Sequence, residues 1–439
     1  MNALSDLLVQ ETRVSDKGVG SRLARLALKN RVQLITALIV GIAGSYLLRT
    51  TFENIKDPLL SYSQTNIGLS LSILLGFACQ KKMSRLPGNS ALINIPAAIL
   101  TAYIAIAALF FMLRMDISHR QFVISFFLVV FVFYAFAFIA ARIRRPAYCL
   151  VPFGSAGKLK SIKHVEWIVV NSPDDASHFD QFPLVADLQS PELDRSWIEY
   201  ISESSVSGRV IFNGKQLRES LEGKVEIDHI SENNFGQLLT ETTYTSLKGI
   251  LDKVAALFAL LLLSPLLIVI AFLIRLESKG PIIFKQNRIG QAGRRFTMYK
   301  FRSMTDKHSA LPSASTDMTR TDDDRITRIG RFIRKTRIDE LPQLFNILKG
   351  DMSWIGPRPE TENLSALYEE QIPFYRYRHI VKPGITGWAQ VKQGHVTSVT
   401  DVNDKLRYDF YYIKNFSPWL DFFICLQTPR VMLTGLGAK

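Results

Sequence analysis

Cysteine is scarce in this 439-residue chain: only Cys79, Cys149 and Cys425 occur, and none stands in C-x-x-C spacing. That excludes a disulfide scaffold and a cysteine zinc site. The seven histidines are scattered, which excludes a histidine-rich metal centre. Negative charge is the minority, 39 acids against 53 Lys and Arg, for a net charge of +14. The partner is therefore anionic: phosphate, nucleic acid or an acidic lipid surface. Charged residues make up only 21% and hydrophobic residues 47%, with a mean hydropathy of +0.11. That excludes a disordered chain and points to membrane segments. The N-terminus reads as no signal peptide, because its basic region is long and no short apolar core with a cleavage site follows.

Four apolar runs precede residue 145: Val32–Leu48, Leu60–Cys79, Ala91–Leu113 and Gln121–Ala141. Each is long enough to cross a ~30 Å hydrocarbon core as a helix. The second opens on Ser61, Ser63, Gln64, Thr65 and Asn66, and the third contains Pro96. Basic residues cluster before the first run (Arg13, Lys17, Arg22, Arg25, Lys29, Arg31), between the second and third (Lys81, Lys82, Arg85) and after the fourth (Arg142, Arg144, Arg145). The positive-inside rule then puts both ends of the bundle in the cytoplasm. The runs carry no mid-span charge to mark a transport pathway.

From Ala147 the pattern changes. Strand-like runs (Ala147–Phe153, Glu166–Val170, Leu184–Leu188, Arg209–Asn213) alternate with helix-like stretches (Pro191–Ser204, Lys215–Glu222). This predicts a small Rossmann-like α/β piece with a parallel sheet. The turn Phe153-Gly154-Ser155-Ala156-Gly157-Lys158 is either a plain tight turn or an incomplete dinucleotide loop, since the full G-x-G-x-x-G is missing. A fifth apolar run, Leu251–Ile274, carries Ser264-Pro265 at its centre. Proline breaks or kinks a helix, and each half is too short to span. Basic residues flank both sides, so crossing and entering-and-leaving on one face both remain open.

The last third is dense in Arg and Lys. Arg294, Arg295, Lys300 and Arg302 form one group, and Arg325, Arg328, Arg331, Arg334, Lys335 and Arg337 a second. Arg358 stands between two prolines in a stiff turn. Guanidinium forks suit phosphate oxygens, and a basic face also suits anionic headgroups. Nucleic acid is set aside, because the block follows a membrane segment and no recognised nucleic-acid motif occurs. Asp339 and Glu340 precede Pro342, which can open a helix that Gly350 ends. The acids either cap that helix or meet phosphates and a divalent cation there.

Six stretches carry a resemblance. They are Gly280–Gly290 (GPIIFKQNRIG), Lys300–Met304 (KFRSM), Ile338–Leu344 (IDELPQL), Gly350–Glu360 (GDMSWIGPRPE), Lys382–Val391 (KPGITGWAQV) and Arg407–Tyr412 (RYDFYY). In content and order they resemble the bacterial sugar transferases, monotopic polyprenyl-phosphate hexose-1-phosphate transferases. The resemblance covers Leu247–Lys439, and with four preceding helices and a small α/β domain the chain looks like the large form of that family. It implies three domains: 1–145, the four-helix transmembrane bundle; 146–246, the Rossmann-like domain; and 247–439, a re-entrant helix with a mainly helical catalytic domain. It implies transfer of hexose-1-phosphate from a UDP-hexose to undecaprenyl phosphate with release of UMP, the first membrane step of exopolysaccharide, capsule or lipopolysaccharide O-antigen synthesis. The expected intermediate is an aspartyl-phosphosugar. UDP-glucose and UDP-galactose are the expected donors; a non-catalytic membrane scaffold is the alternative.

By the same resemblance Asp339 is the nucleophile, and Glu340 is a metal ligand or assists the second attack. Mg²⁺ sits between the dyad and the diphosphate. Lys300, Arg302 and Arg358 hold phosphates; Arg325 and Arg337, from the second basic group, are added to the substrate-binding set. Ser264 and Pro265 form the re-entrant kink. The expected setting is the bacterial inner membrane, with the catalytic domain facing the cytoplasm and contacting membrane lipids; homodimerisation is left open. An ordinary Asp is ionised at pH 7 and attacks without a base. Trp388, Trp419, Phe422 and Phe423 are either interfacial anchors or core. The polar stretch Ser309–Asp324 is a loop over the site or a solvated insert.

Overall fold

The structure, a computed structural model, describes residues 29–53, 59–83, 91–143, 147–162, 165–225, 242–305, 325–393 and 399–434. The stretch Ser309–Asp324 and most of the N-terminal basic flank lie outside them. The chain divides into two compact units, residues 1–223 and 224–439.

The first unit opens with the expected four helices. Helix α1 (Asn30–Ile39) continues through a π-helical turn (Val40–Gly44) into α2 (Ser45–Glu53). Then follow α3 (Leu59–Met83), α4 (Ala91–Met112) and α5 (His119–Ile143). Leu69, Ile73, Ile95, Ile99, Val129 and Phe133 form their fully buried core. Polar groups face inward: Tyr103 and Ser125 share a 2.8 Å hydrogen bond, and Ser45 Oγ donates to Gly41 O in the π turn. Large apolar side chains such as Ile104, Phe111, Phe127 and Phe131 face outward. A few hydrogen-bonded polar groups turned inward, with apolar side chains covering the outside, suit lipid surroundings. Asn30–Thr51, Ile95–Met112 and His119–Ala140 are long and apolar enough to cross a membrane, as is Tyr244–Glu277 in the second unit. Helix α3 forms at full length but is less apolar; Thr65, in its polar start, accepts a hydrogen bond from Ser118 N (3.0 Å). The chain is a membrane protein.

The same unit contains the α/β piece. Strands β1 (Ala147–Leu150), β2 (Glu166–Val169), β3 (Leu184–Ala186) and β4 (Ile211–Asn213) pair in parallel, in the order β2-β1-β3-β4. Helices α6 (Pro173–Ser177) and α7 (Arg195–Val206) connect β2 to β3 and β3 to β4, and α8 (Gly214–Glu222) follows β4, which confirms the alternation read from the sequence. The turn after β1 is a 3₁₀ segment over Gly154–Ser161. Asp187 accepts Ser155 N–H (2.8 Å) and Glu192 accepts Gly154 N–H (3.2 Å). Backbone donors that a dinucleotide loop would offer to phosphate are thus taken by the chain's own carboxylates. The plain-turn reading holds.

The second unit is built on α9 (Thr242–Glu277), a single 36-residue helix with Pro265 inside it. A hairpin follows, β5 (Ile283–Ile289) and β6 (Arg295–Phe301), antiparallel with Phe284 opposite Lys300. Next come α10 (Arg328–Lys335), a 3₁₀ turn (Ile338–Gln343), α11 (Leu344–Lys349), β7 (Ser353–Ile355) and α12 (Glu362–Gln371). A second 3₁₀ turn (Tyr375–Ile380) leads to β8 (Gly384–Thr386), parallel to β7, then α13 (Trp388–Lys392), α14 (Val399–Lys414) and α15 (Pro418–Thr434). One side of α9 packs on this body along its length. Ala256 and Leu260 meet Met298, Leu344 and Ile347, while Ile270 and Ile274 meet Phe301 and Ile333. The other side, including Phe258, Leu262, Ile268 and Phe272, is bare. Trp388 and Phe423 are buried and packed together, with Tyr411 stacked on Trp388 at 5.5 Å, so these two belong to the core. Trp419 is partly exposed at 39%.

Candidate active site

The dyad lies in the 3₁₀ turn itself, one step earlier than a helix cap. Arg337 opens that turn in the left-handed conformation (φ 60°), and no side chain caps the turn. A non-glycine residue there costs roughly 1–3 kcal/mol, which surrounding structure must hold. The capping alternative for Asp339 and Glu340 therefore falls away. The turn is held against β6 by Asn346, fully buried on α11. Its side chain donates to Thr297 O (2.7 Å) and accepts Tyr299 N–H (3.1 Å). That docking sets Lys300, the next strand residue, beside the dyad.

Three cations converge on Glu340 Oε1: Arg358 at 2.6 Å, Arg337 at 3.4 Å and Lys300 at 3.5 Å. Arg358 also reaches Oε2 at 3.4 Å. Burial raises the Glu340 pKa, but Arg358 and Lys300 outweigh it and hold the carboxyl well below its usual range. Asp339 is also buried, yet its Oδ1 has no hydrogen-bond partner. Burial, followed by the adjacent Glu340 charge, pushes Asp339 up to about 6. The ordinary carboxylate value assumed from sequence is therefore corrected, although Asp339 is still mostly ionised at pH 7. Burial pulls Lys300 down to about 8 against the attraction of Glu340. Two adjacent carboxyls thus differ sharply, one saturated with cations and one open.

The structure brings Lys300, Arg337, Asp339, Glu340 and Arg358 together. It does not bring Arg302 there. That guanidinium is buried and donates to Ser278 O (2.7 Å), Ser278 Oγ (2.8 Å) and Lys279 O (3.1 Å), so it closes the C-terminal end of α9. The carbonyl of Arg325 accepts Thr305 N–H (2.9 Å). Beside Pro265, within the continuous helix α9, Ser264 Oγ donates to Leu261 O (2.8 Å).

Sequence reasoning passed over the glycines that seat Arg358. Gly356 N donates to Thr386 O and Gly384 N to Pro357 O. A Cβ on Gly384 would lie 2.1 Å from Gly356 N, and one on Gly356 would lie 2.3 Å from Lys382 O. Only bare backbone lets the two strands approach this closely, and the closeness fixes where the Pro-Arg-Pro turn begins.

Among the described residues, no group of three or more His, Cys, Asp or Glu could by itself hold a metal. The residues nevertheless fit a hard divalent cation. The open, buried Asp339 Oδ1 offers one anionic oxygen, and Mg²⁺ is usually held by one or two carboxylates plus substrate phosphates.

The bacterial sugar transferase family matches residues 243–435, which contain every residue of this cluster. The chain is similar to a UDP-N-acetylgalactosamine-undecaprenyl-phosphate N-acetylgalactosaminephosphotransferase of Aeromonas hydrophila. The two are 41% identical over 376 residues, 85% of this chain and 87% of that one. A UDP-glucose:undecaprenyl-phosphate glucose-1-phosphate transferase of Xanthomonas campestris pv. campestris is 44% identical over 185 residues, 41% of this chain and 37% of the relative. Its namesake in Escherichia coli (strain K12) is 41% identical over 184 residues, 42% and 39% of the two chains.

Proposed function

The chain belongs to the bacterial sugar transferase family, and from that premise we propose how its residues carry out the transfer. It is an undecaprenyl-phosphate sugar-1-phosphate transferase of polysaccharide synthesis, using a UDP-sugar. The observation that carries the residue assignment is the open oxygen of buried Asp339 beside three cations gathered on Glu340.

Asp339 attacks the sugar-linked phosphorus of the UDP-sugar. A bond forms from its carboxylate oxygen to that phosphorus, and the bond to the bridging oxygen breaks, so UMP leaves with that oxygen. An oxygen of undecaprenyl phosphate then attacks the same phosphorus and releases the Asp339 carboxylate. Lys300, Arg337 and Arg358 transfer their contacts from Glu340 to phosphate oxygens as the diphosphate enters, offsetting the repulsion between anions. Glu340 keeps these cations ordered until then. Mg²⁺ would be held by Asp339 Oδ1, with Glu340 available once its cations have moved, and when bound it supplies charge stabilisation to the diphosphate. Arg302 supports the site from the end of α9 and does not touch phosphate.

For the donor we propose a UDP-N-acetylhexosamine, UDP-N-acetylgalactosamine first, in place of UDP-glucose or UDP-galactose. The support is the Aeromonas relative, whose similarity runs through most of both chains, whereas the similarity to the glucose relatives covers about two fifths of each. A panel of UDP-sugars assayed for UMP release tests this. UDP-N-acetylgalactosamine is expected to give at least a ~10-fold higher kcat/KM than UDP-glucose, in line with a site that hydrogen-bonds the extra amide. Equal values would remove the assignment.

We further propose that α9 is embedded from one face without crossing, and that the catalytic domain, residues 247–439, faces the cytoplasm. Ala256 and Ile274 lie 18 residues apart, about 27 Å along a helix, and both pack on the same catalytic body. A crossing helix would carry one of those ends away from the body. The bare apolar side is then the lipid-facing one. A single cysteine placed near Lys439 is expected to resist impermeant thiol reagents in intact cells and to react after lysis. Pro265→Ala is expected to raise the externally labelled fraction. Ready labelling of the wild-type protein from outside would overturn the embedded arrangement.

A further inference from the structure

The turn that carries Arg358 cannot hold itself. Pro357 and Pro359 have no N–H, so the carbonyls of the turn need donors from elsewhere. Three successive carbonyls find them. Arg378 Nη2 donates to Arg358 O (2.8 Å), Arg288 Nη1 to Pro359 O (3.0 Å) and Ile289 N to Glu360 O (3.1 Å). Arg378 is the buried one, with 3% of its side chain exposed. Its fork also donates to Asp409 Oδ2 (2.9 Å) and Tyr375 OH (2.6 Å), and lies 3.7 Å from Glu360 Oε1. Asp409 is equally buried, at 2% exposure, so the pair has no solvent to exchange with. Lys405 neutralises Glu360 from α14, the same helix that carries Asp409.

We propose that Arg378 is a positioning residue for phosphoryl transfer. Held by Asp409, it fixes the backbone of Arg358 so that the Arg358 side chain reaches the Glu340 carboxylate and, after it, the diphosphate. Arg378 touches no reacting atom. The inference rests on the reading of Arg358 as a phosphate ligand. The chemistry favours arginine over lysine here. The task needs a planar fork that serves a backbone carbonyl, a carboxylate and a phenol together, and an ammonium group on a flexible stem does not reproduce that geometry. Displacing a substrate-positioning group by about 1 Å can cost ~10²-fold in rate.

The test is a double-substitution cycle on the full-length, detergent- or nanodisc-held protein. Arg378→Lys keeps Asp409 neutralised and is expected to lower UMP release by about 10- to 100-fold while the melting temperature changes little. In an Arg358→Ala background the same substitution is expected to change the rate by less than about twofold, because the group it positions is gone. The dissociation constant for UDP is compared across the same four proteins and stays measurable where turnover is slow. Asp409→Asn provides a second entry to the cycle if Arg378→Lys fails to fold, with the same loss of effect expected in the Arg358→Ala background. Equal fold-losses in both backgrounds, for rate and for UDP affinity, would overturn the proposal and leave Arg378 a stability residue. So would unchanged kinetics in a folded Arg378→Lys protein. Asp339→Asn is measured in parallel. If it releases UMP at the wild-type rate, the assignment of the nucleophile fails, while the Arg358–Arg378 coupling is still decided by its own ratio.

Discussion

Asp339→Asn is expected to abolish UMP release, by on the order of 10⁴-fold or more, even without acceptor lipid, while UDP-sugar binding is largely kept. The amide matches the carboxylate in size but lacks the charge and the lone-pair basicity needed to form the new bond. Its effect should exceed that of losing any single cation, because each such loss leaves the nucleophile and two of the three cations in place. The wild-type pH profile follows from the same residues. With Asp339 raised to about 6 by burial and by Glu340, the reactive carboxylate becomes more populated as pH rises through that value, so kcat/KM climbs there. With Lys300 pulled down to about 8 by burial, its charge is lost above that value and kcat/KM falls again. A flat profile between pH 5 and 9 would contradict both assignments.

Glu340→Gln is expected to be the next most damaging change, lowering kcat by about 10²- to 10³-fold. Three cations would face a neutral amide, and their mutual repulsion would disorder the cradle before the diphosphate arrives. The sign of the accompanying pH shift is distinctive. The Glu340 charge raises both the Asp339 and the Lys300 pKa, so removing it should move both limbs of the residual profile to lower pH. A fall in activity with unshifted limbs would mean that Glu340 supports folding and does not organise charge.

Much of this was readable before any coordinates. Apolar runs announce helices wherever lipid or core must accept them, and α1 to α5 and α9 follow them. Alternation placed the four strands of the α/β piece to within three residues. The arginines were harder, because sequence gives their number and not their partners. Arg302, two residues from Lys300, closes the end of α9, while Arg337 and Arg358, separated by 20 intervening residues, meet on one carboxylate. Arg378 stood in an unremarked aromatic and basic stretch, and its role depends on a carbonyl and a carboxylate supplied by distant elements. The shift of Asp339 has the same origin, since burial comes from packing and spacing cannot announce it. Trp388 is aromatic in either setting, and only its contacts with Tyr411 and Phe423 separate core from interface.

The mechanism turns on a covalent bond between Asp339 and the sugar phosphate. The most direct measurement is mass spectrometry of the tryptic peptide from Ile338 to Lys349, after rapid acid quench of the enzyme with UDP-N-acetylgalactosamine and Mg²⁺ and no acceptor lipid. A sugar-phosphate adduct is expected on that peptide, localised to Asp339, formed as fast as UMP appears and discharged when undecaprenyl phosphate is added. An unmodified peptide under these conditions, with UMP released only when both substrates are present, would contradict it and establish direct transfer between them.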